Sequence, residues 1–539
     1  MQKLLLLGDE AIAQAAIDAG ISGMYAYPGT PSTEIMEYIQ ASPQAAAGNV
    51  QREWSSNEKT ATEAALGMSY AGKRAMVAMK HVGLNVAADA FINSAVTGVN
   101  GGLIVVSADD PSMHSSQNEQ DSRFYGKFAM VPIFEPANQQ QAYDMIFDAF
   151  EISEKYKVPV LFRITTRMAH SRASVTTREP LKQNKLSLPV SKTQFVLLPA
   201  IARKQYKNLI SVYEILSQDK TLSKWNTFSE GKKGGQGIIS CGISYNYLME
   251  NIKGKKSEYN ILSVSSYPVD RSQVAELVDR SSSVLVLEEG YPILEELLRG
   301  MLNRDVKVNG RLDGTVPRDG ELNPMIIAQA LGFDTTTGAA VPETVKSRPP
   351  SFCKGCGHSD MFIALGEALK EYGPGRVFAD IGCYTLGALP PYNMVNSCVD
   401  MGASVTMAIG AADAGLFPSV AFIGDSTFTH SGMTGLLDAV LKNAPITLII
   451  SDNSTTGMTG GQKSQATGKV ESICLGLGVD PAHIKTIVPL KKNHEENVKV
   501  MQEELAYKGL SVIIGNRECI QTASRHKKAE AEAKNKKEE

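Results

Sequence analysis

The chain has 539 residues, 43% of them hydrophobic, and a formal net charge of −3. That length exceeds what one hydrophobic core organises, so several domains are expected. The mild acidity argues against nucleic acid, whose binders carry basic patches, and no apolar run approaches the roughly 20 residues of a membrane span. Seven cysteines, an odd number without an export signal, fit a reducing cytoplasm in which thiols bind metals or simply pack.

Met1 to Gly8 carries too short an apolar stretch for a signal peptide and reads as a lead-in strand or arm. Residues 1–185 alternate Gly/Ala-rich helices with short strands such as Leu103 to Val106 and Val158 to Phe162, an α/β pattern. Within them Glu53-Trp54-Ser55-Ser56-Asn57-Glu58 precedes a small-residue helix, Ala61 to Tyr70. Residues 186–233 are polar, with scattered Lys, Gln and Ser, and read as a surface connector. Residues 234–340 form a smaller α/β unit with strand-like Ile261 to Val264 and Val284 to Leu287, and 341–525 a second large one. The tail, 526–539, is rich in Lys, Glu and Ala without apolar partners and reads as frayed helix or disorder.

The last large unit carries the most specific pattern. Val420 to Ile423 suit a buried strand ending in Gly424-Asp425-Ser426. Leu436, Leu437, Val440 and Leu441 then recur at helical spacing until Pro445, and Ile446 to Ile450 make a second strand whose far end holds Asp452-Asn453. A strand–helix–strand unit returns parallel, so Asp425 and Asn453 should emerge at one carboxyl edge, where open α/β sheets bind ligands. Magnesium is hard and takes oxygen ligands, partly from phosphate. Asp425 would supply charge, Asn453 a neutral oxygen and Thr455 its carbonyl. A Gly-Asp-Ser triplet alone would serve equally as a helix cap.

These features resemble a magnesium–thiamine diphosphate site, and the similarity extends along the chain. The carrying stretches are Tyr27-Pro28-Gly29-Thr30-Pro31-Ser32, Met79-Lys80-His81-Val82-Gly83-Leu84-Asn85, Ala108-Asp109-Asp110-Pro111 through Asp121-Ser122-Arg123, Cys353-Lys354-Gly355-Cys356-Gly357-His358 and Asp380-Ile381-Gly382-Cys383-Tyr384-Thr385-Leu386-Gly387. From near residue 1 to about residue 520 the sequence is similar to the alpha subunits of indolepyruvate ferredoxin oxidoreductases, within the 2-oxoacid:ferredoxin oxidoreductases. The resemblance implies a thiamine diphosphate-binding fold: two large doubly wound α/β domains, for pyrimidine and diphosphate, plus a smaller transketolase C-terminal-like α/β domain.

It also implies roles. Glu58 is placed like the activating glutamate that shares a proton with the pyrimidine ring; by itself it is also an ordinary first-turn glutamate. Arg123 corresponds to an arginine that holds the substrate carboxylate, or else to a surface salt bridge. Thr30 would bond substrate or ring, or be a turn residue. His81 and His358 stand near the cofactor by analogy, and Gly382, Asp400, Gly402 and Ser426 along the diphosphate edge. Cys353, Cys356, Cys383 and Cys519 match the layout of a proximal [4Fe–4S] cluster, although a C-x-x-C also suits zinc or nothing. Cys398 and Cys474 compete for that role or are core residues.

The implied reaction is oxidative, coenzyme A-dependent decarboxylation of an aryl-2-oxoacid with electrons passed to ferredoxin, in a cytoplasmic hetero-oligomer with a small beta subunit. The family's usual C-terminal ferredoxin-like domain has no counterpart before Glu539, so onward transfer is expected through the proximal cluster or another polypeptide. Two other readings stay open: a non-oxidative thiamine-dependent 2-oxoacid decarboxylase or carboligase with ordinary cysteines, and a subunit that keeps the fold only for assembly.

Overall fold

The central front-half strands are short, apolar and buried, as a parallel sheet covered on both faces requires. In the computed structural model, Leu103–Asp109 is buried along its whole length and Ala75–Lys80 along all but its last residue. The described residues are 2–191, 194–301, 307–317, 319–335, 338, 340–346, 350–398, 401–413 and 416–538. They divide into two compact units, Met1–Ala339 and Ala340–Glu539.

The first unit holds a seven-stranded sheet in the order Ser266–Tyr267, Ile133–Phe134, Val160–Thr165, Leu103–Asp109, Ala75–Lys80, Gly23–Ala26, Gln51–Trp54. Its neighbours run parallel except Ser266–Tyr267, which pairs antiparallel with Ile133–Phe134. The lead-in segment forms the strand Lys3–Leu7, paired antiparallel with Arg172–Thr176. Its alanine-rich helix Gly8–Asp18 packs closely because its side chains are small.

The same unit contains a five-stranded sheet ordered Lys307–Asn309, Ser281–Leu287, Gly235–Cys241, Asn260–Val264, Thr227–Ser229. The polar stretch read as a connector is more ordered than its composition suggests. It forms the helix Pro199–Leu216, which buries Leu209 and Leu216, and then the strand Thr227–Ser229, which completes this sheet.

The second unit is built on a wholly parallel six-stranded sheet ordered Ser397–Cys398, Val377–Ala379, Ser419–Gly424, Ile446–Asp452, Ser511–Asn516, Ile484–Ile487. Gly424 pairs with Ser451, and Asp452 with Asn516, so the chain leaves three neighbouring strands at one level. Between Ser419–Gly424 and Ile446–Asp452 the return helix Met433–Lys442 ends at Asn443 in the left-handed conformation, before Pro445. The charged tail belongs to the helix Ile520–Glu538. No helix among the described residues is long and apolar enough to cross a membrane.

Candidate functional site

In the second unit the parallel register delivers Asp425, Asp452 and Asn453 to one carboxyl edge. Asp425 is buried, and its Oδ2 has no hydrogen-bond partner. Burial, then the neighbouring Asp452, pushes its pKa up to about 7. Two buried acids side by side repel unless a proton or a cation stands between them. Ser454, at φ +61, turns the chain sharply after Asn453, whose Oδ1 accepts from the Thr455 amide at 3.1 Å. This oxygen-rich set fits a hard divalent ion such as magnesium, with Asp452 a carboxylate the motif reading left unassigned.

Ser426 lies next to this pair and shares a 2.9 Å hydroxyl contact with Thr456. Gly382 and Gly402 leave room for neighbouring groups. A methyl on Gly382 would lie 2.3 Å from the Tyr384 ring, and one on Gly402 (φ +96) 2.7 Å from Ser431. The Gly402 amide donates to buried Asp380, which also accepts from Ser404 Oγ at 2.5 Å and from Tyr384. Burial raises Asp380 to about 6. Asp400 lies outside the described residues.

Four cysteines converge beside this edge. Gly355, at φ +81, closes a tight turn in which the Cys356 amide donates to the Cys353 carbonyl, and Cys356 then caps the helix Gly357–Ala368. Cys383 opens the short helix Cys383–Ala388 after the strand Val377–Ala379, and the Cys519 amide donates to the Asn453 carbonyl at 3.1 Å. With Asn453 and His358 these thiols line one cavity of about 130 Å³. Burial, then the other three sulfurs, pushes Cys383 up to about 12. Cys398 instead contacts the Asp380 carbonyl, and Cys474 is buried in the core.

Among the described residues, no three of the cysteine sulfurs lie within 4.8 Å of one another. Buried His358 lies 3.4 Å from the Cys356 sulfur, and burial lowers its pKa to about 4, so its ring is neutral.

In the first unit Glu58 is the first residue of the helix Glu58–Tyr70 and is 5% exposed. Gly83, on the helix His81–Thr97, faces it: a methyl there would lie 2.6 Å from Glu58 Oε1. His81 Nε2 meets Asn118 Oδ1 at 3.1 Å, while its buried Nδ1 lacks a partner. Burial lowers the pKa of Lys80, which neighbours Asp110 and Glu58 and packs on Gly29. Thr30 follows Gly29 in the turn braced by Ser32 Oγ and Thr33 Oγ1.

Arg123 requires a correction. It is neither a free carboxylate fork nor a surface ion pair but is 0% exposed. It donates to Asp121, to Glu288 at 3.0 Å, to Tyr267 Oη at 3.1 Å and to the carbonyls of Glu289 and Tyr291. Arg163 sits alongside, donating to Asp109 at 2.7 Å and to Glu135. The partners come from both sheets of this unit, so Arg123 joins them, and no donor remains for a substrate carboxylate.

Residues 14–203 match the family described as pyruvate flavodoxin/ferredoxin oxidoreductase, thiamine diphosphate-binding, and residues 380–514 match the thiamine pyrophosphate enzyme C-terminal TPP-binding domain. Indolepyruvate oxidoreductase subunit IorA of Archaeoglobus fulgidus is 38% identical over 98% of this chain and 88% of its own length. The chain belongs to the IorA family.

The IorA subunit of Methanothermobacter marburgensis is 37% identical over 96% of this chain and 87% of its own. A solved 2-oxoglutarate:ferredoxin oxidoreductase from Magnetococcus marinus aligns with 57% of this chain and 62% of that chain, at 16% identity and a TM-score of 0.48. Family membership makes this IorA-type chain an oxidoreductase subunit of the thiamine diphosphate-dependent class that decarboxylates 2-oxoacids oxidatively, working in a hetero-oligomer.

Proposed function

We propose that this chain is the catalytic subunit of a cytoplasmic enzyme converting aryl-2-oxoacids, of the indolepyruvate and phenylpyruvate type, to aryl-acetyl-CoA and carbon dioxide. Two electrons per turnover pass through a [4Fe–4S] cluster to ferredoxin, and a small beta subunit completes the complex. The observation that carries the reading is the cavity shared by Cys353, Cys356, Cys383, Cys519 and Asn453, because a non-oxidative decarboxylase needs no electron carrier beside its diphosphate edge. The relatives named for indolepyruvate support the aryl preference.

When bound, thiamine diphosphate supplies the electron sink that lets carbon dioxide leave. Asp425, Asn453 and the Thr455 carbonyl would hold magnesium against its diphosphate, with Asp452 adding a second negative charge. Ser426 would bond the diphosphate edge. Glu58 Oε1, seated against Gly83, would share a proton with the pyrimidine nitrogen. Thr30 and His81 offer a hydroxyl and an imidazole for the substrate end.

The test is an anaerobic assay of the reconstituted complex with indolepyruvate, phenylpyruvate and pyruvate, coenzyme A and a low-potential dye, alongside iron and acid-labile sulfide analysis. Dye reduction coupled to aryl-acetyl-CoA formation, with iron and sulfide present, is expected. Aldehyde release without dye reduction, from a protein lacking iron, would overturn the reading.

A further inference from the structure

A second group of ligand-type side chains lies in the first unit and shares no residue with the sites above. Asp9 is on the first turn of the helix Gly8–Asp18, Glu34 on the first turn of Thr33–Ala41, and His170 ends the short helix Thr166–His170. One ligand atom from each of the three lies within 4.8 Å of the other two. His170 Nε2 and Glu34 Oε1 are 3.5 Å apart.

The decisive feature is Asp9. It is 0% exposed, and neither of its carboxylate oxygens accepts from an N–H or hydroxyl of the chain, its one hydrogen-bonding neighbour being the Glu34 carboxylate; Glu34 Oε2 also lacks a donor. A buried carboxylate left without donors is costly, and the amides of a helix's first turn are the usual remedy. None is used here. Instead Asp9 faces a second carboxylate and an imidazole, and burial with Glu34 beside it pushes its pKa well up. The Glu34 hydrogen bond raises His170. Either a proton is trapped between the two acids or a cation belongs there.

We propose that Asp9, Glu34 and His170 bind one divalent transition-metal ion. A mixed set of two carboxylates and one imidazole suits zinc, manganese or iron(II) better than the all-oxygen shells of magnesium and calcium. Two carboxylates cancel the charge of a dication. Three protein ligands leave a position for water, as in open zinc sites. Ligand atoms about 2.0–2.2 Å from an ion stand roughly 3–3.5 Å apart, within reach of small side-chain adjustments from the observed arrangement. Glu34 and His170 are 34% and 35% exposed, so the ion enters from their side while Asp9 anchors it from below. The ion clips together three helices, one of which begins just after the Thr30 turn.

The probe is Mn2+, followed by electron paramagnetic resonance on the full-length, thiamine-free chain, because manganese avoids thiolates and leaves the cysteine cavity aside. Native protein and the Asp425→Ala variant should both bind one tightly held Mn2+ per chain. His170→Gln, a change at a half-exposed position, and Asp9→Asn should each weaken that binding by at least about tenfold. Mn2+ should raise the thermal midpoint of the native chain and not that of His170→Gln. Absence of stoichiometric binding would overturn the proposal. So would Mn2+ that leaves with Asp425→Ala and is indifferent to His170→Gln.

Discussion

Gly83 makes room for Glu58: a methyl group on residue 83 would come within 2.6 Å of Glu58 Oε1 and 2.9 Å of its Cδ. The clash is with the functional end of the side chain, so the carboxyl, rather than the helix backbone, has to yield. A displacement of about 1 Å at a positioned group costs on the order of a hundredfold in rate. Gly83→Ala should therefore lower turnover of the complex by tenfold or more while its thermal midpoint and iron content stay near native. Steady-state kinetics beside a melting curve checks this. Native turnover in Gly83→Ala would remove Glu58 from the mechanism.

The cysteines separate into two groups by place, and a substitution series should follow that division. Cys353, Cys356, Cys383 and Cys519 share a cavity; Cys398 rests on a strand-end carbonyl and Cys474 is core. Serine at any of the first four should lower iron and acid-labile sulfide, measured anaerobically, and abolish dye reduction. Serine at Cys398 or Cys474 should leave both readouts in place. Equal iron content across all six variants would show that the cavity holds no cluster.

Arg123 should behave as a structural residue. Removing one partner from a buried ion network strands the others, which costs about 3–5 kcal/mol. Arg123→Lys keeps a charge but lacks the fork that reaches Asp121, Glu288 and two carbonyls at once. The expected result is a lower thermal midpoint with KM for the oxoacid unchanged well below that temperature. A raised KM at native stability would return Arg123 to the substrate site.

These contrasts explain what was legible in the sequence. The rear edge could be read because its strands are unbroken apolar runs and the polar residues come directly after them; parallel return then forces Asp425 and Asn453 together. The four clustering cysteines were picked out by the family layout they match, a pair, a single and a distal thiol, and not by a pattern of their own. Arg123 was misread because its partners Tyr267 and Glu288 lie 144 and 165 residues away, beyond any local pattern. The helix Pro199–Leu216 was missed because only one narrow face of it is buried. Asp9, Glu34 and His170 carry no spacing signal, since three separate helices bring them together.

The same buried network should leave a mark on the pH dependence of stability. Glu289 is 1% exposed; its Oε1 accepts from the Leu322 amide at 3.0 Å, and its Oε2 has no partner. Burial lifts its pKa from an ordinary 4.5 to about 7. A group raised in the folded state contributes stability below its unfolded pKa and loses it as pH climbs through the folded one. The loss from Glu289 therefore runs from about pH 4.5 to about pH 7, on the order of 3 kcal/mol as an upper bound. Glu289→Gln stays neutral throughout and keeps an oxygen for the Leu322 amide. Its thermal midpoint should match the native chain near pH 5 and exceed it above pH 7, the gap widening across that interval. A midpoint difference that does not change with pH would show that Glu289 does not titrate there.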